Sequence, residues 1–497
     1  MDWQASSLIT IDVGGTTHTL TWGEFTASVA EAQTATTHGA SLDLFWLLFG
    51  GVLVFLMMLG LALLEIGCVH KKNTKHIIIR ILGDCCITGL TFYAVGYSFA
   101  FMHGNGFIGT TGFFMQGAAF TGASATQAFR GHHYADWFFQ WAIASVAVNI
   151  CHGAVAERIS LPAYSVYSFC ASLFIYPVCA HWAWAETGWA SMLNEGNLLF
   201  GIGVMDFAGT GCLHMFAGTS ALVGCLLLGP RLGKFTAEGH GHLPSQSVLL
   251  QFMGTMILWF GWYGFNCVST LSLEGTKGDV MAKVAVNLTL SACTAGLVTS
   301  ILYKVLVAGH FDISQANNGI LAGCVAVTGS CPVIEPEAAI VLGVLGALVY
   351  LSIAHLLERA GIDDVVDAIP VHLGCGFLGT LAPGMFASPS GVKTFYGSNR
   401  TNCGFFYTCE GGGGKQFGAQ IVYALAVFAF VGVCVSLVFG SMKAIGCLRV
   451  LAEAERMGMD AFEHGGSAYD DGEIDEHTNK ESYNNSLQSP VARRDVV

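Results

Sequence analysis

Residues 206–231 read DFAGTGCLHMFAGTSALVGCLLLGPR: an acid, Asp206, opens an apolar run long enough to cross a bilayer, and one histidine, His214, sits inside it. An imidazole at mid-membrane costs free energy unless it is paired or lines a cavity, so it marks a functional position. Asp206 stands where a helix presents unpaired amides and the positive end of its dipole, which predicts that it caps them and stays charged. At the helical rise the two side chains lie about 12 Å apart along the axis, one near the outer face and one near the middle. Ala217 with Ala221 and Ser220 with Gly224 are small residues four apart, the spacing that lets membrane helices approach closely.

Similar runs fill the chain. Of 497 residues 53% are hydrophobic and only 11% charged, whereas soluble domains carry roughly 25% charged residues. Eleven apolar segments are each long enough, or nearly so, to span: 42–69, 77–101, 134–156, 161–184, 206–229, 247–271, 282–308, 317–333, 336–356, 367–387 and 418–442. The pattern predicts an all-α polytopic membrane protein with three parts, an extracellular tail 1–41, a membrane domain 42–445 and a cytoplasmic tail 446–497. Lys71, Lys72, Lys75, Arg80, Arg158, Arg231, Lys234, Lys304, Arg359, Lys443 and Arg449 follow the odd-numbered spans, while the other connections hold only Arg130, Lys277, Lys283, Lys393, Arg400 and Lys415. Because basic residues stay inside, the N-terminus is expected outside and the C-terminus in the cytosol. An odd count suggests five plus five plus one. Span five carries Asp206 and His214, span ten carries Asp367 and His372, and a repeated unit of five must return inverted, with its site near the midplane.

The remaining segments exclude several functions. The first forty residues lack a basic region before an apolar core, so no cleavable signal peptide is expected, only a loosely ordered tail. Net charge is −13, much of it in the last fifty residues, which argues against a nucleic-acid partner. Seventeen cysteines are spread mostly through apolar spans with no CxxC, so zinc, iron–sulfur and covalent haem sites have no anchor. The loop 387–416 contains the sequon Asn399-Arg400-Thr401 and the pair Cys403 and Cys409, which could be bridged in an oxidising compartment; Asn287-Leu288-Thr289 lies within a span and should stay unmodified. His152, His181 and His355 read as structural histidines, His240 and His242 as a solvated loop, Glu157-Arg158 as an ion pair at a helix end, and Glu65 and Asp84 as weaker candidates.

These residues resemble the ammonium transporter (Amt/Mep/Rh) superfamily across roughly 42–470. DFAGTGCLH with LGPR at 228–231, GWYGFNCVS at 261–269, DDVVDAIPVHLGCG at 363–376, GAVAERI at 153–159 and LRVLAEAERMGMDAFEHGGSAY at 448–469 carry the likeness. It implies eleven helices, an inverted repeat of the first ten, a homotrimer with one pore per subunit in the plasma membrane, and a carrier of ammonium or ammonia, not an enzyme, that uses lipid as its surroundings and needs no cofactor, metal or nucleotide. Mapped here, Trp184 and Ser269 would recruit the cation at the outer mouth by an indole face and a hydroxyl acceptor. Phe265 would form an aromatic gate. The other gate position holds Ile143 where the family usually has Phe, so either Phe139, one turn above, compensates or the outer gate is wider. Trp262 of the same motif falls along the pore, and His214 and His372 would be its twin histidines, in hydrogen-bond contact and able to relay a proton. Asp206 has two readings, helix cap supporting the recruitment site or proton acceptor beside it, and its place before a helix favours the first; Asp367 would do the equivalent on the inner side. Plant relatives carry a phosphorylatable Thr two residues after Gly-Met-Asp, where this chain has Phe462. Two competing functions are an ammonium sensor signalling through the tail, with Ser482, Ser486 and Ser489 as handles, and a redox enzyme, which would need histidines paired on facing helices with room for a macrocycle.

Overall fold

In lipid every backbone amide must be satisfied within its own segment, so runs this apolar fold as helices. The computed structural model describes residues 8–13, 16–117, 120, 127–236, 239–240 and 243–469. Helix α1 spans Trp22–Cys68, α2 Lys71–Phe101, α3 Gln127–Val155, α4 Leu161–Trp184, α5 Thr210–Leu228 and α6 Val248–Val268. Then come α7 Lys277–Ala308, α8 Ile313–Thr328, α9 Pro336–Arg359, α10 Ile369–Phe386 and α11 Gly413–Ala444. Ten of these are long and apolar enough to cross a membrane. The exception is α8, at the eighth expected span: it has 16 residues, and 329–333 continue as turns, not helix. Outside the bundle, strands β1 Leu8–Val13 and β2 Thr16–Thr21 form one antiparallel hairpin, and β3 Phe235–Thr236 and β4 Gly239–His240 another.

Three expectations need correction. The N-terminal region is not loosely ordered where it is described, because Thr21 and Glu24 form a capping box that starts α1 twenty residues before the apolar run, so the 41/42 boundary falls inside a helix. Glu157 does not pair with its neighbour Arg158. It meets Arg231 at 2.5 Å, while Arg158 donates to the carbonyls of Gly229 at 2.8 Å and of Asp363. Span five does not begin at Asp206 either, since residues 206–209 are non-helical and the helical rise cannot be counted from that acid. Cys403 and Cys409 are bonded to each other. Asn287 is buried and donates to the carbonyls of Cys331 and Ile334, whereas Asn399 is exposed. His242, the three tail serines and all residues beyond 469 lie outside the described part of the chain.

The packing repeats. Helix α1 packs on α3, α2 on α3 and α4, and α3 on α5; the same relations recur as α6 on α8, α7 on α8 and α9, and α8 on α10. The two series meet where α1 lies along α6. There Gly60 and Gly254 face each other: a Cβ on Gly254 would come within 2.6 Å of the Gly60 carbonyl, and one on Gly60 within 3.1 Å of the Gly254 carbonyl, so neither position admits a side chain without separating the helices. α11 covers this core from one side, against α5 and α10.

At one end of the bundle the basic connections gather around acids. Arg231 also meets Asp363 at 2.8 Å. Burial works to raise Asp363, but the hydrogen bonds and charge of Arg231 outweigh it and hold the carboxyl down at about 2. Residues 447–464 are laid across this end: Arg449 donates to the carbonyls of Leu228 and Pro230, Leu232 donates its amide to Glu455, and Lys72 donates to the carbonyls of Glu455 and Arg456.

Candidate functional site

His214 and His372 each sit in a π-helical segment at the start of their helix, Thr210–Met215 in α5 and Ile369–Gly374 in α10. Such wide turns are favoured at functional positions because they shift one side chain out of the ordinary helical row. Gly209, at φ +97°, makes the sharp entry into the first, and the His214 amide closes the wide turn on its carbonyl at 3.0 Å. Asp206 fastens this turn from outside it. Its carboxylate accepts the amides of Gly211 and Cys212, both at 3.0 Å, the Thr210 hydroxyl at 2.9 Å and the Tyr423 hydroxyl at 3.1 Å. Capping is therefore what this acid does, three residues earlier than the N-cap position, Gly209.

In α10 the equivalent acid is Asp364, not Asp367. The Ile369 amide donates to the Asp364 carboxylate at 2.6 Å, five residues apart, as are Asp206 and Gly211. Asp367 has a left-handed backbone, φ 58°, and its carboxylate accepts from Tyr350 at 2.8 Å and Asn318 at 2.9 Å. The reading that paired Asp367 with Asp206 took the nearer acid; the shared spacing, 206 to 214 and 364 to 372, points to Asp364. Burial, followed by the neighbouring Asp367 charge, pushes Asp364 up to about 7.

The two turns bring His214 and His372 together with Nδ1 to Nδ1 at 3.1 Å and rings nearly parallel, 23° apart. One Nδ1 must donate and the other accept, so one Nε2 of the pair carries a hydrogen and the other a lone pair. His214 is 1% and His372 8% exposed, so the pair sits where water is scarce. The His214 Nε2 is buried without a hydrogen-bond partner among the described residues. Trp262 stacks on His214, centroids 5.5 Å apart, and its indole N–H donates to Thr328 at 3.1 Å. Asn266 donates to the same hydroxyl at 3.3 Å, and that hydroxyl donates to the Cys324 carbonyl at 2.7 Å, which locks the tryptophan's position. On the His372 side, a small cavity is lined by Glu65, Asn318, Val371 and His372 among others.

Towards the other end, Trp184 donates its indole N–H to the backbone carbonyl of Asp206 at 2.6 Å and stacks on Phe101, planes 11° apart. Asp206 thus holds the helix turn with its side chain and the tryptophan with its main chain. Ser269 donates to the Phe265 carbonyl at 2.8 Å, which leaves its lone pairs free to accept. The Phe265 ring lies 6.2 Å from that of His214. Phe139 and Ile143 are both buried on α3.

A family model, Ammonium Transporter Family, matches residues 45–469. The chain belongs to this family. Among its relatives in the family, Ammonium transporter 1 member 3 of Solanum lycopersicum is 36% identical over 444 residues, 86% of this chain and 93% of that protein. Ammonium transporter 1 member 1 of Arabidopsis thaliana is 39% identical, over 81% of this chain and 80% of the relative. Of solved structures, Candida albicans Mep2 superposes with a TM-score of 0.74 at 27% identity, covering 88% of this chain and 92% of that one. A Sensor Amt Protein gives 0.75 at 29%, covering 86% and 100%. Membership fits an all-α, multi-pass membrane protein. Within that frame, the partners that reading the sequence missed are Asp364, Thr328, Asn266, Tyr423 and Phe101. Only Asp364 had a signal, the eight-residue spacing, since the others act through contacts between helices far apart in the chain.

Proposed function

We propose that this chain conducts ammonium across the plasma membrane as ammonia plus a proton, each subunit of a homotrimer having its own path. The observation that carries the reading is the buried His214–His372 contact, 3.1 Å between Nδ1 atoms. A bare cation in an apolar core loses hydration worth several kcal/mol or more, and neutral ammonia does not. A pair sharing one Nδ1–H···Nδ1 bond offers a lone pair at one Nε2 and a hydrogen at the other. Ammonium arriving at the lone pair gives up its proton there; the shared proton moves between Nδ1 atoms; the second Nε2 releases its own proton on the far side. Charge crosses while ammonia moves as a neutral molecule, and no covalent chemistry on the substrate is required. Trp184 and Ser269 form the outer recruitment site, with Asp206 as its structural support; Phe265 and Trp262 line the dry section, and Phe139 and Ile143 contribute to it from α3.

The N-terminus is outside and the tail from 446 onward is cytosolic in this reading, since Lys72, Arg158, Arg231 and Arg449 all meet at the tail's end of the bundle. The eleven-span count includes α8. The testing experiment is current from protein reconstituted in liposomes under an inward ammonium gradient. Ammonium-dependent current without potassium current is expected, and silence of folded, correctly inserted protein overturns the reading. A sensor role is the second reading, favoured by the likeness to the Sensor Amt Protein and the docked tail; it gains ground if a conductance-dead variant still changes tail accessibility when ammonium is added.

A further inference from the structure

At the start of α2, metal-ligating groups from opposite ends of the chain converge. His76 Nδ1 lies 2.7 Å from His464 Nε2, and Glu463 Oε2 lies 3.5 Å from the first and 3.9 Å from the second. All three donor atoms fall within 4.8 Å of one another. Asp460 sets their register from both sides. Its carboxylate accepts the amides of Lys75 and His76, both at 3.0 Å, and its own carbonyl accepts the His464 amide at 3.1 Å. Asn73 adds a further clamp by accepting the Met459 amide at 2.9 Å. The His76 side chain is 1% exposed, His464 10% and Glu463 29%, so the cluster is closed on the helix side and open to solvent on the tail side.

We infer that His76, Glu463 and His464 form a binding site for a divalent transition metal of the zinc class, which fastens the tail to α2. Two neutral imidazoles and a carboxylate, with a fourth position open to water, are the donor set such an ion takes, at about 2.0–2.2 Å from each ligand. Tetrahedral donors then stand roughly 3.3 Å apart. The carboxylate already stands close to that spacing, and the imidazoles need to open by about half an ångström, which a turn of the His464 side chain supplies. Without metal the two rings share a proton. The charge of Glu463 offsets the cation against Arg80, one turn further along α2, whose guanidinium donates to the Ile159 carbonyl. Because the ligands belong to two segments, metal affinity and tail docking are coupled reciprocally.

The test uses full-length protein in detergent, stripped with a chelator, with Zn²⁺ titrated against a chromophoric competitor and Co²⁺ as a spectroscopic substitute. Expected are one high-affinity Zn²⁺ per chain, a visible d–d band with Co²⁺, and protection of the tail from protease on adding metal. His464→Ala and Glu463→Gln, both on the partly exposed tail, should weaken binding by more than ~10-fold and abolish the protection. His76→Asn should do the same, and if that buried change prevents folding the two tail variants decide alone. No Zn²⁺ binding by the native protein, or unchanged affinity in both tail variants, overturns the proposal.

Discussion

Asp206 and Asp364 each precede a histidine of the buried pair by eight residues, yet the bundle treats them differently. Asp206 is satisfied from four sides, by two amides and two hydroxyls. Asp364 has backbone partners alone and sits beside a second acid, Asp367, so burial holds it near protonation at about 7. The comparison teaches that the same local device, an acid closing a wide turn before a histidine, is held by four donors in one half of the core and by backbone alone in the other. An anion bound by several donors is preorganised, whereas one with few donors in a dry site gains by accepting a proton.

The largest effect should come from breaking the pair the two devices support. His214→Ala and His372→Ala should each abolish selective ammonium current, because no relay remains and the surviving imidazole loses its partner, itself a cost of about 1–3 kcal/mol. His372→Glu restores a titratable hydrogen-bonding group and should recover part of the current, as measured by solid-supported membrane electrophysiology. Full current in both alanine variants, with potassium still excluded, would make the histidines structural.

A smaller effect separates the two acids. Asp206→Asn places an NH₂ group among four donors and should destabilise by about 2–4 kcal/mol; Asp364→Asn keeps an acceptor for Ile369 and should cost less than about 1 kcal/mol. A pH dependence is expected of Asp364. The Asp364 carboxyl is raised from about 4 in the unfolded chain to about 7 folded. Its contribution to stability is therefore present in full below about pH 4 and is lost as pH rises through about 7. Asp364→Asn should flatten that slope in melting temperature. Equal melting temperatures for the two variants would erase the asymmetry.

The smallest effect is expected at Ile143. Replacing it with Phe adds volume at a buried position, and transport should change by less than ~10-fold, with normal expression. Complete loss of transport would mean that the smaller side chain provides room the permeating species requires.

How much of this was legible depended on the range of each interaction. Ten spans followed from hydropathy because the bilayer imposes length and apolarity on each segment separately. The start of α1 at Trp22 was missed although Thr21-x-x-Glu24 is a readable capping box, since the residues after it lack an apolar face. The wide turns at 210–215 and 369–374 were not legible: their signal is a register of backbone hydrogen bonds, and composition does not distinguish it from an ordinary helix. Asp364 was within reach, because the spacing to His372 repeats that of Asp206 to His214, but Asp367 lay nearer and looked sufficient. The links from Trp184 to Asp206 and from Trp262 to Thr328 required tertiary neighbours that no local pattern names.

The tail contacts also impose an order in time. The amides of Lys75 and His76 find their acceptor in a residue 385 and 384 positions later, and Lys72 reaches carbonyls 383 and 384 positions later. A ribosome delivers those partners only after every helix from α1 to α11 has been made. Throughout synthesis the first turn of α2 waits with its donors uncapped, available to water, lipid headgroups or a chaperone. A nascent chain released before residue 460 carries that open turn permanently.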